Sequence, residues 1–313
     1  MLEITNLRVR LPVEGQPRTV IHDVSFAIGA GEAFGLIGES GSGKSMTAKA
    51  VARLLPEGAA CEGAIVFDDR PVLELGGEDL RRYRSHDVAM IFQDPRASIN
   101  PVRTVGDFLT EAARTNLGMR RPAAEEKAVA LLAEVGIADG GRRLRQYPHQ
   151  LSGGLLQRVM IASALMGDPR LLLADEPTTA LDVTTQSEVM AILGRLRAEH
   201  GVAMLFITHD LELAGAVCDR IGVMYAGSLV EQLPSTALHE DAVHPYTRGL
   251  LTSRPSVTET VRRLPVIPGK PLSAFEAPDG CAFAPRCPHA IDTCRDEEPA
   301  LVDDVRCHRV GDI

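Results

Sequence analysis

The chain contains no tryptophan, and aromatic residues make up only 4 % of it. A surface that stacks nucleic-acid bases on several aromatic rings is therefore not expected. Basic residues are also outnumbered, because 33 lysines and arginines face 42 aspartates and glutamates and leave a net charge of −9. Such an acidic chain lacks the electrostatic footprint of a general nucleic-acid-binding protein, so we expect no nucleic-acid partner.

Long apolar runs are absent as well. The best candidates, Val159–Gly167 and Gly201–Thr208, fall far short of the roughly 18 apolar residues of a membrane-spanning helix. The first ten residues, MLEITNLRVR, carry no apolar run, so we expect no signal peptide. The sequence therefore predicts a cytosolic protein whose membrane association comes only through a partner.

Cysteine is scarce over most of the chain and concentrated at its end. The first 280 residues hold Cys61 and Cys218, and the last 33 hold Cys281, Cys287, Cys294 and Cys307. In a reducing cytosol such a group is more often a metal site than a set of disulfides. The spacing C-x₅-C-x₆-C-x₁₂-C lacks the tight pairs of structural zinc sites, whereas four thiolates on loose loops suit a [4Fe–4S] cluster. We predict the cluster, with Zn²⁺ and a metal-free tail as alternatives.

Strand and helix patterns alternate over residues 1–232. Near-continuous apolar segments such as AFGLIG, RLLLADEP and AMLFITHD are typical of parallel strands covered by helices on both faces. A helix is predicted over Ser45–Leu55, directly after the first of these strands. Ten of the 20 prolines follow Leu233, so the remaining part is predicted to be irregular and rich in loops.

A phosphate-binding loop is predicted between the strand AFGLIG and the following helix. Its sequence, GESGSGKS, fits the pattern G-x-x-x-x-G-K-[ST], in which backbone N–H groups and a helix N-terminus hold phosphates. Lys44 is expected to reach the β- and γ-phosphates, and the Ser45 hydroxyl to bind Mg²⁺. The predicted nucleotide contacts are Gly38, Ser40, Gly41, Ser42, Gly43, Lys44 and Ser45. A chance Gly/Ser-rich turn is the alternative.

An acidic pair ends the strand RLLLADEP, at the edge of the sheet where open α/β proteins bind ligands. Asp175 suits a Mg²⁺ site, and Glu176 suits a general base for the attacking water. The alternative is a pair that only caps the next helix. His209, at the end of the strand AMLFITHD, is expected to hydrogen-bond the γ-phosphate or to hold the water and Glu176.

The segment LSGG predicts a second anion site. Ser152 lies at the N-cap of a predicted helix, and Gly153 and Gly154 follow it, so a hydroxyl and two N–H groups meet at a positive helix end. Because one nucleotide does not need two such sites from one chain, we predict a head-to-tail dimer with each nucleotide between two chains. A plain Ser-capped helix is the alternative.

In order and spacing, these motifs resemble the ABC-type ATPases. The resemblance makes Gln93, in IFQDP, a Q-loop residue that senses Mg²⁺ and the water, and Asp182, in TALD, a D-loop residue at the nucleotide. It implies ATP hydrolysis and an α/β fold: an ABC-type P-loop ATPase domain with a RecA-like core, an antiparallel β subdomain and a helical subdomain. The implied boundaries are 1–232 for the ATPase, with the helical subdomain at about 94–165, and 233–313 for an irregular Cys-rich C-terminal extension.

Three more segments are similar to the ATP-binding subunits of oligopeptide/dipeptide/nickel importers: Phe92–Asp107, His244–Leu251 and Pro268–Cys294. This similarity implies a peripheral ATPase at the cytoplasmic face of the inner membrane. The implied partners are a second related ATPase subunit in a heterodimer, two transmembrane permease subunits and an extracytoplasmic substrate-binding protein. Some such subunits carry a [4Fe–4S] cluster on a matching tail. Uptake of di- and oligopeptides is the predicted function. Uptake of nickel or another small solute, and a non-transport ABC ATPase of iron–sulfur assembly, are the alternatives.

The chain departs from the family pattern at two places. Leu155 and Leu156 follow LSGG, where the family usually has glutamine or a small residue and then another polar residue. Leu11 stands where the family usually has the aromatic residue that stacks on adenine, and apolar contact by Leu11 or stacking by Arg18 are the substitutes. We therefore expect weaker or less base-selective nucleotide binding.

Overall fold

A computed structural model describes residues 1–179, 181–253 and 266–312. In this part of the chain the strands are β1 Leu2–Val13, β2 Gln16–Ile28, β3 Ala33–Ile37, β4 Ala60–Phe67, β5 Arg70–Pro71, β6 Val88–Ile91, β7 Leu171–Asp175, β8 Ala203–Thr208, β9 Arg220–Tyr225 and β10 Ser228–Pro234. The helices are α1 Lys44–Val51, α2 Gly77–Arg82, α3 Val105–Asn116, α4 Arg121–Glu134, α5 Gly140–Arg143, α6 Gly153–Leu165, α7 Val183–His200, α8 Leu211–Val217, α9 Pro245–Thr252 and α10 Asp292–Asp296. None of the described helices is long and apolar enough to span a membrane.

The chain forms two compact units. The first unit comprises Met1, Ile28–Ala33 and Glu74–Ile207, and the second comprises Leu2–Ala27, Phe34–Leu73 and Thr208–Ile313. The C-terminal segment therefore belongs to the same unit as the phosphate loop. The domain boundaries drawn from the sequence, at 232/233 and at about 94 and 165, remain predictions.

Parallel strands form the centre of the first unit. β6 pairs with β7 from Val88↔Leu171 onward, and β7 pairs with β8 as far as Asp175↔Ile207. All five residues of β7 are buried, as expected for a parallel strand with both faces covered. The register brings the acidic end of β7 to the last rung of this ladder.

The second unit combines antiparallel and parallel pairing. β1 pairs antiparallel with β4, with a register shift between Thr5 and Arg8, and β9 pairs antiparallel with β10. β3 runs parallel to β9, and β10 meets β2 at Ser228↔Asp23. The buried residues of β1 are Leu2, Ile4, Leu7 and Val9, and exposed residues separate them, as expected for a strand with one face against the core.

Helix α1 is shorter than the sequence pattern predicts. The prediction of a helix to Leu55 was wrong, because α1 ends at Val51. Arg53 adopts a left-handed backbone with φ of 57°, which no α-helix accommodates. Its guanidinium donates to the carbonyl oxygen of Val72 at 2.7 Å, so a side-chain contact fixes the turn.

The C-terminal segment has more order than its prolines suggest. Besides α9 and α10 it contains one-turn 3₁₀ helices at Ala274–Glu276 and Ala284–Arg286. Its aromatic side chains reach the sheet, because the ring of Tyr225 on β9 lies 4.7 Å from that of Tyr246 and 5.3 Å from that of Phe283. This aromatic cluster attaches the segment to the core of the second unit.

Candidate functional site

The phosphate loop joins β3 to α1 in a shape that needs glycine. Gly41 and Gly43 have φ of 81° and 102°, in the left-handed region. A Cβ atom at Gly38 would lie 2.1 Å from the Met224 carbonyl oxygen, and one at Gly43 would lie 3.0 Å from the Val20 carbonyl oxygen. The loop is therefore pressed against β2 and β9, and larger residues would displace it.

Lys44 lies folded over this loop. Its ammonium group donates to the carbonyl oxygens of Gly38 at 2.9 Å and Glu39 at 3.0 Å, and the residue is only 5 % exposed. Ser45 follows in the first turn of α1 and is half-buried. The cation and the hydroxyl thus lie on the loop where the sequence predicts the phosphate and Mg²⁺ contacts.

The C-terminal segment forms several hydrogen bonds with the phosphate loop. The Glu39 backbone N–H donates to the Tyr246 hydroxyl at 2.9 Å, and the Ala274 N–H donates to the Gly41 carbonyl oxygen at 3.1 Å. Arg286 donates to both carboxylate oxygens of Glu39, at 2.6 and 3.2 Å. Sequence reasoning missed these contacts, although Tyr246 and Arg286 lie inside two of the quoted segments, because nothing in their spacing shows what they touch.

Glu176 occupies a strained position directly after β7. Its backbone φ is 46°, an unfavourable value for a non-glycine residue. Its Oε2 atom accepts hydrogen bonds from Gln93 Nε2 at 2.8 Å and from Thr179 Oγ1 at 2.7 Å. Two predicted site residues, Gln93 and Glu176, are therefore hydrogen-bonded to each other. Thr179, which the sequence did not indicate as a site residue, contacts the same carboxylate. Asp175, one residue earlier, is buried.

The acidic pair does not cap the next helix, because the N-cap of α7 is Asp182. Asp182 accepts from the Thr185 N–H at 3.0 Å and from the Thr185 hydroxyl at 2.7 Å, and these bonds lower the pKa of its carboxyl. His209 is exposed in the second unit, between β8 and α8.

The LSGG segment begins α6 as expected. Ser152 is the N-cap and accepts from the Leu155 N–H at 3.3 Å. A Cβ atom at Gly154 would lie 2.5 Å from Thr185 Cγ2, so glycine is needed where α6 approaches α7. Of the two unusual leucines, Leu156 is buried and Leu155 is half-buried. The segments of Ser152 and Asp182 therefore meet at Thr185.

The four C-terminal cysteines line a single pocket, together with His244 and Phe283. All six cysteines of the chain lie in the described part and are free thiols. Burial raises the pKa of Cys281 to about 11, and the neighbouring Cys294 and Cys307 add to the increase. Among the described residues, the cysteines form no group of three whose ligand atoms all lie within 4.8 Å of one another.

Family models match both parts of the chain. The model described as ABC transporter matches residues 21–179. The model described as Oligopeptide/dipeptide transporter, C-terminal region, matches residues 230–294. The first match begins in β2, the second ends in α10, and residues 180–229 lie between them.

Relatives extend over nearly the whole chain. The oligopeptide transport ATP-binding protein OppD of Salmonella typhimurium is 42 % identical over 299 residues, which cover 96 % of this chain and 89 % of the relative. A relative in Sinorhizobium fredii, named "Probable peptide ABC transporter ATP-binding protein y4tR", is 45 % identical over 304 residues, which cover 96 % of this chain and 91 % of the relative.

Solved structures share the fold. The ATP-binding cassette MJ0796, solved as a dimer bound to ADP and Pi, gives a TM-score of 0.65 at 27 % identity over 75 % of this chain and 99 % of that one. The cbiO1 protein of Clostridium perfringens gives 0.65 at 25 % identity, covering 77 % and 90 %.

The chain therefore belongs to the ABC transporter ATPases, and the predicted ABC cassette fold and ATP hydrolase activity are confirmed. Its C-terminal region places it more narrowly, with the ATP-binding proteins of oligopeptide/dipeptide transporters. ATP and Mg²⁺ are the substrate and metal that this cassette uses.

Proposed function

We propose that the chain is the ATP-hydrolysing subunit of an ABC importer that takes up di- and oligopeptides. Relatives of nearly equal length are named as peptide transport proteins. The observation that carries the proposal is the contact of Tyr246 and Arg286 with Glu39. The region typical of oligopeptide transporters is thereby part of the support of the nucleotide loop, and not a loose appendage.

The proposed roles follow from the chemistry of each group. Backbone N–H groups of Gly38–Ser45 and the Lys44 ammonium bind the phosphates. The Ser45 hydroxyl, the Asp175 carboxylate and the Gln93 amide offer the oxygen ligands that Mg²⁺ prefers, and the metal neutralises charge on the phosphates.

The remaining roles concern the attacking water. Glu176 polarises this water, and His209 holds it or the γ-phosphate. Hydrogen bonds from Gln93 and Thr179 orient the Glu176 carboxylate.

The active form is proposed to be a head-to-tail heterodimer with a second, related ATPase subunit. Ser152, Gly153 and Gly154 at the positive end of α6, with Asp182, face the nucleotide held by the other subunit. ATP closes this dimer and hydrolysis reopens it, which moves two permease subunits between access states. An extracytoplasmic binding protein delivers the peptide, and the chain lies at the cytoplasmic face of the inner membrane.

Transport by the assembled complex tests this proposal. Vesicles holding the chain, its partner ATPase and both permease subunits are given binding protein, labelled peptide and ATP. ATP-dependent peptide uptake is expected, and a matched complex with Glu176→Gln should bind ATP without uptake. Uptake of nickel but not of peptide would overturn the substrate class. ATP hydrolysis without transport of any solute would overturn the importer role.

The cysteine pocket is proposed to hold a [4Fe–4S] cluster through Cys281, Cys287, Cys294 and Cys307. The four sulfurs of a tetrahedral zinc site with 2.3 Å bonds lie about 3.8 Å apart. Among the described residues no three of these sulfurs all lie within 4.8 Å of one another, which fits a tetrahedral zinc site poorly, whereas a [4Fe–4S] cluster takes four cysteines. Iron and sulfide analysis of anaerobically purified chain tests this, and a colourless preparation with one zinc per chain would overturn it.

A further inference from the structure

The 3₁₀ turn at Ala274–Glu276 fixes an aromatic ring beside the phosphate loop. The Ala274 N–H donates to the Gly41 carbonyl oxygen at 3.1 Å, and the Ala274 carbonyl oxygen lies 2.8 Å from His22 Nε2. Ser273 and Glu276 form a capping box around the turn. Phe275 is the next residue along the chain, so its Cα atom is about 3.8 Å from that of Ala274.

A cation accompanies this ring. The Arg18 guanidinium lies 5.5 Å from the centre of the Phe275 ring and donates to the Phe275 carbonyl oxygen at 2.9 Å. Arg18 is exposed and Phe275 is only half-buried, so both flat groups are accessible to a ligand. Aromatic rings and guanidinium planes are the two kinds of side chain on which nucleobases stack.

The strands that precede the loop offer no accessible phenyl or phenol ring. β1 contains no aromatic residue, and Leu11 on it is half-buried. The aromatic residue of β2, Phe26, is buried and stacks on Phe34 at 4.6 Å. Phe275 therefore provides an accessible ring, held by a direct hydrogen bond between its neighbour and the loop.

We propose that Phe275, paired with Arg18, is the residue on which the base of the bound nucleotide stacks. The C-terminal extension would then supply the stacking surface that β1 lacks, and Leu11 would not carry the base contact. The inference rests on the proposed binding of ATP by Gly38–Ser45. It predicts that the base contributes to binding at this site, contrary to the weaker binding expected from Leu11 alone.

Binding measurements on the full chain separate the base from the phosphates. Phe275→Ala should weaken ATP binding about 5- to 150-fold, since stacking on an aromatic side chain contributes about 1–3 kcal/mol. Binding of inorganic tripolyphosphate, which has no base, should stay unchanged. Unchanged ATP affinity, or an equal loss for tripolyphosphate, would overturn the proposal. If the unaltered chain fails to bind ATP, the proposed function fails first.

The absence of tryptophan gives a direct second readout. Phe275→Trp introduces the only indole of the chain, and ATP should quench its fluorescence while tripolyphosphate should not. Leu11→Ala is the matched control and should keep the ATP affinity. If Leu11→Ala weakens ATP binding and Phe275→Ala does not, the base contacts β1 and not Phe275, and the proposal is overturned.

Discussion

Two glutamates in the nucleotide motifs are fixed in opposite ways. Glu39, in the phosphate loop, is paired through both oxygens with Arg286, whose side chain is only 4 % exposed. Glu176, after β7, accepts hydrogen bonds from Gln93 and Thr179, and both of these residues are exposed. The first carboxylate is neutralised and serves architecture. The second accepts hydrogen bonds from two exposed side chains, and a water can replace either donor.

Backbone conformation separates the two regions further. Glu176 has a φ of 46°, and a strained backbone of this kind persists only where the surrounding structure enforces it. The loop around Glu39 places its positive φ values on glycines such as Gly41 and Gly43, where they cost little. Of these two regions, only the one after β7 places a positive φ on a non-glycine residue.

The largest expected effect appears when each of the two glutamates is replaced by glutamine in a separate variant. Glu176→Gln should lower ATP turnover about 10²- to 10⁴-fold and keep ATP binding, because a general base is lost. Glu39→Gln should leave turnover at saturating ATP within a few-fold and weaken ATP binding instead. Equal losses of turnover in the two variants, measured in the assembled complex, would contradict the division of roles.

The amount of bound iron should depend on the cysteines that line the pocket. Cys294→Ser is expected to abolish bound iron and visible colour and to lower the thermal midpoint, because a metal that binds only the folded chain stabilises it. Cys61→Ser, on β4 outside the pocket, is the matched control and should keep both properties. Iron retained at full occupancy in Cys294→Ser would exclude this cysteine as a ligand.

Arg286 links the pocket to the loop, since it precedes Cys287 directly and binds Glu39. Arg286→Ala should weaken ATP binding by up to about 10- to 150-fold, because a hydrogen-bonded charge pair at the loop contributes about 1.5–3 kcal/mol. Arg286→Lys keeps the charge but loses the two-pronged contact, and an intermediate effect is expected. Calorimetric titration with ATP checks both variants. Unchanged affinity in Arg286→Ala would show that the loop does not depend on the pair.

The motifs and the fold class were predictable because they depend on short spacings. The glycines of the loop, the buried run of β7 and the capping residue Ser152 each act within a few neighbouring residues. The support of Glu39 was not predictable, because Arg286 is 247 residues away and nothing local to either residue indicates the other. The end of α1 was missed for a similar reason, since Arg53 turns the chain through a contact with the distant Val72.

The smallest expected effect concerns pH and the start of α9. His244 is buried, its Nδ1 atom accepts from the Tyr246 N–H at 3.1 Å, and burial lowers the pKa of its imidazole to about 3. In the unfolded chain the His244 imidazole is protonated as the pH falls below about 6.5, whereas in the folded chain it stays neutral. The free energy of unfolding therefore decreases as the pH falls below that value. Between pH 6.5 and 5.5 the loss from this residue is about 1 kcal/mol. His244→Asn, which keeps an acceptor at the helix start, should show a shallower decline in thermal midpoint. The exposed His149→Asn should follow the unaltered chain, and identical slopes for all three would contradict the assignment to His244.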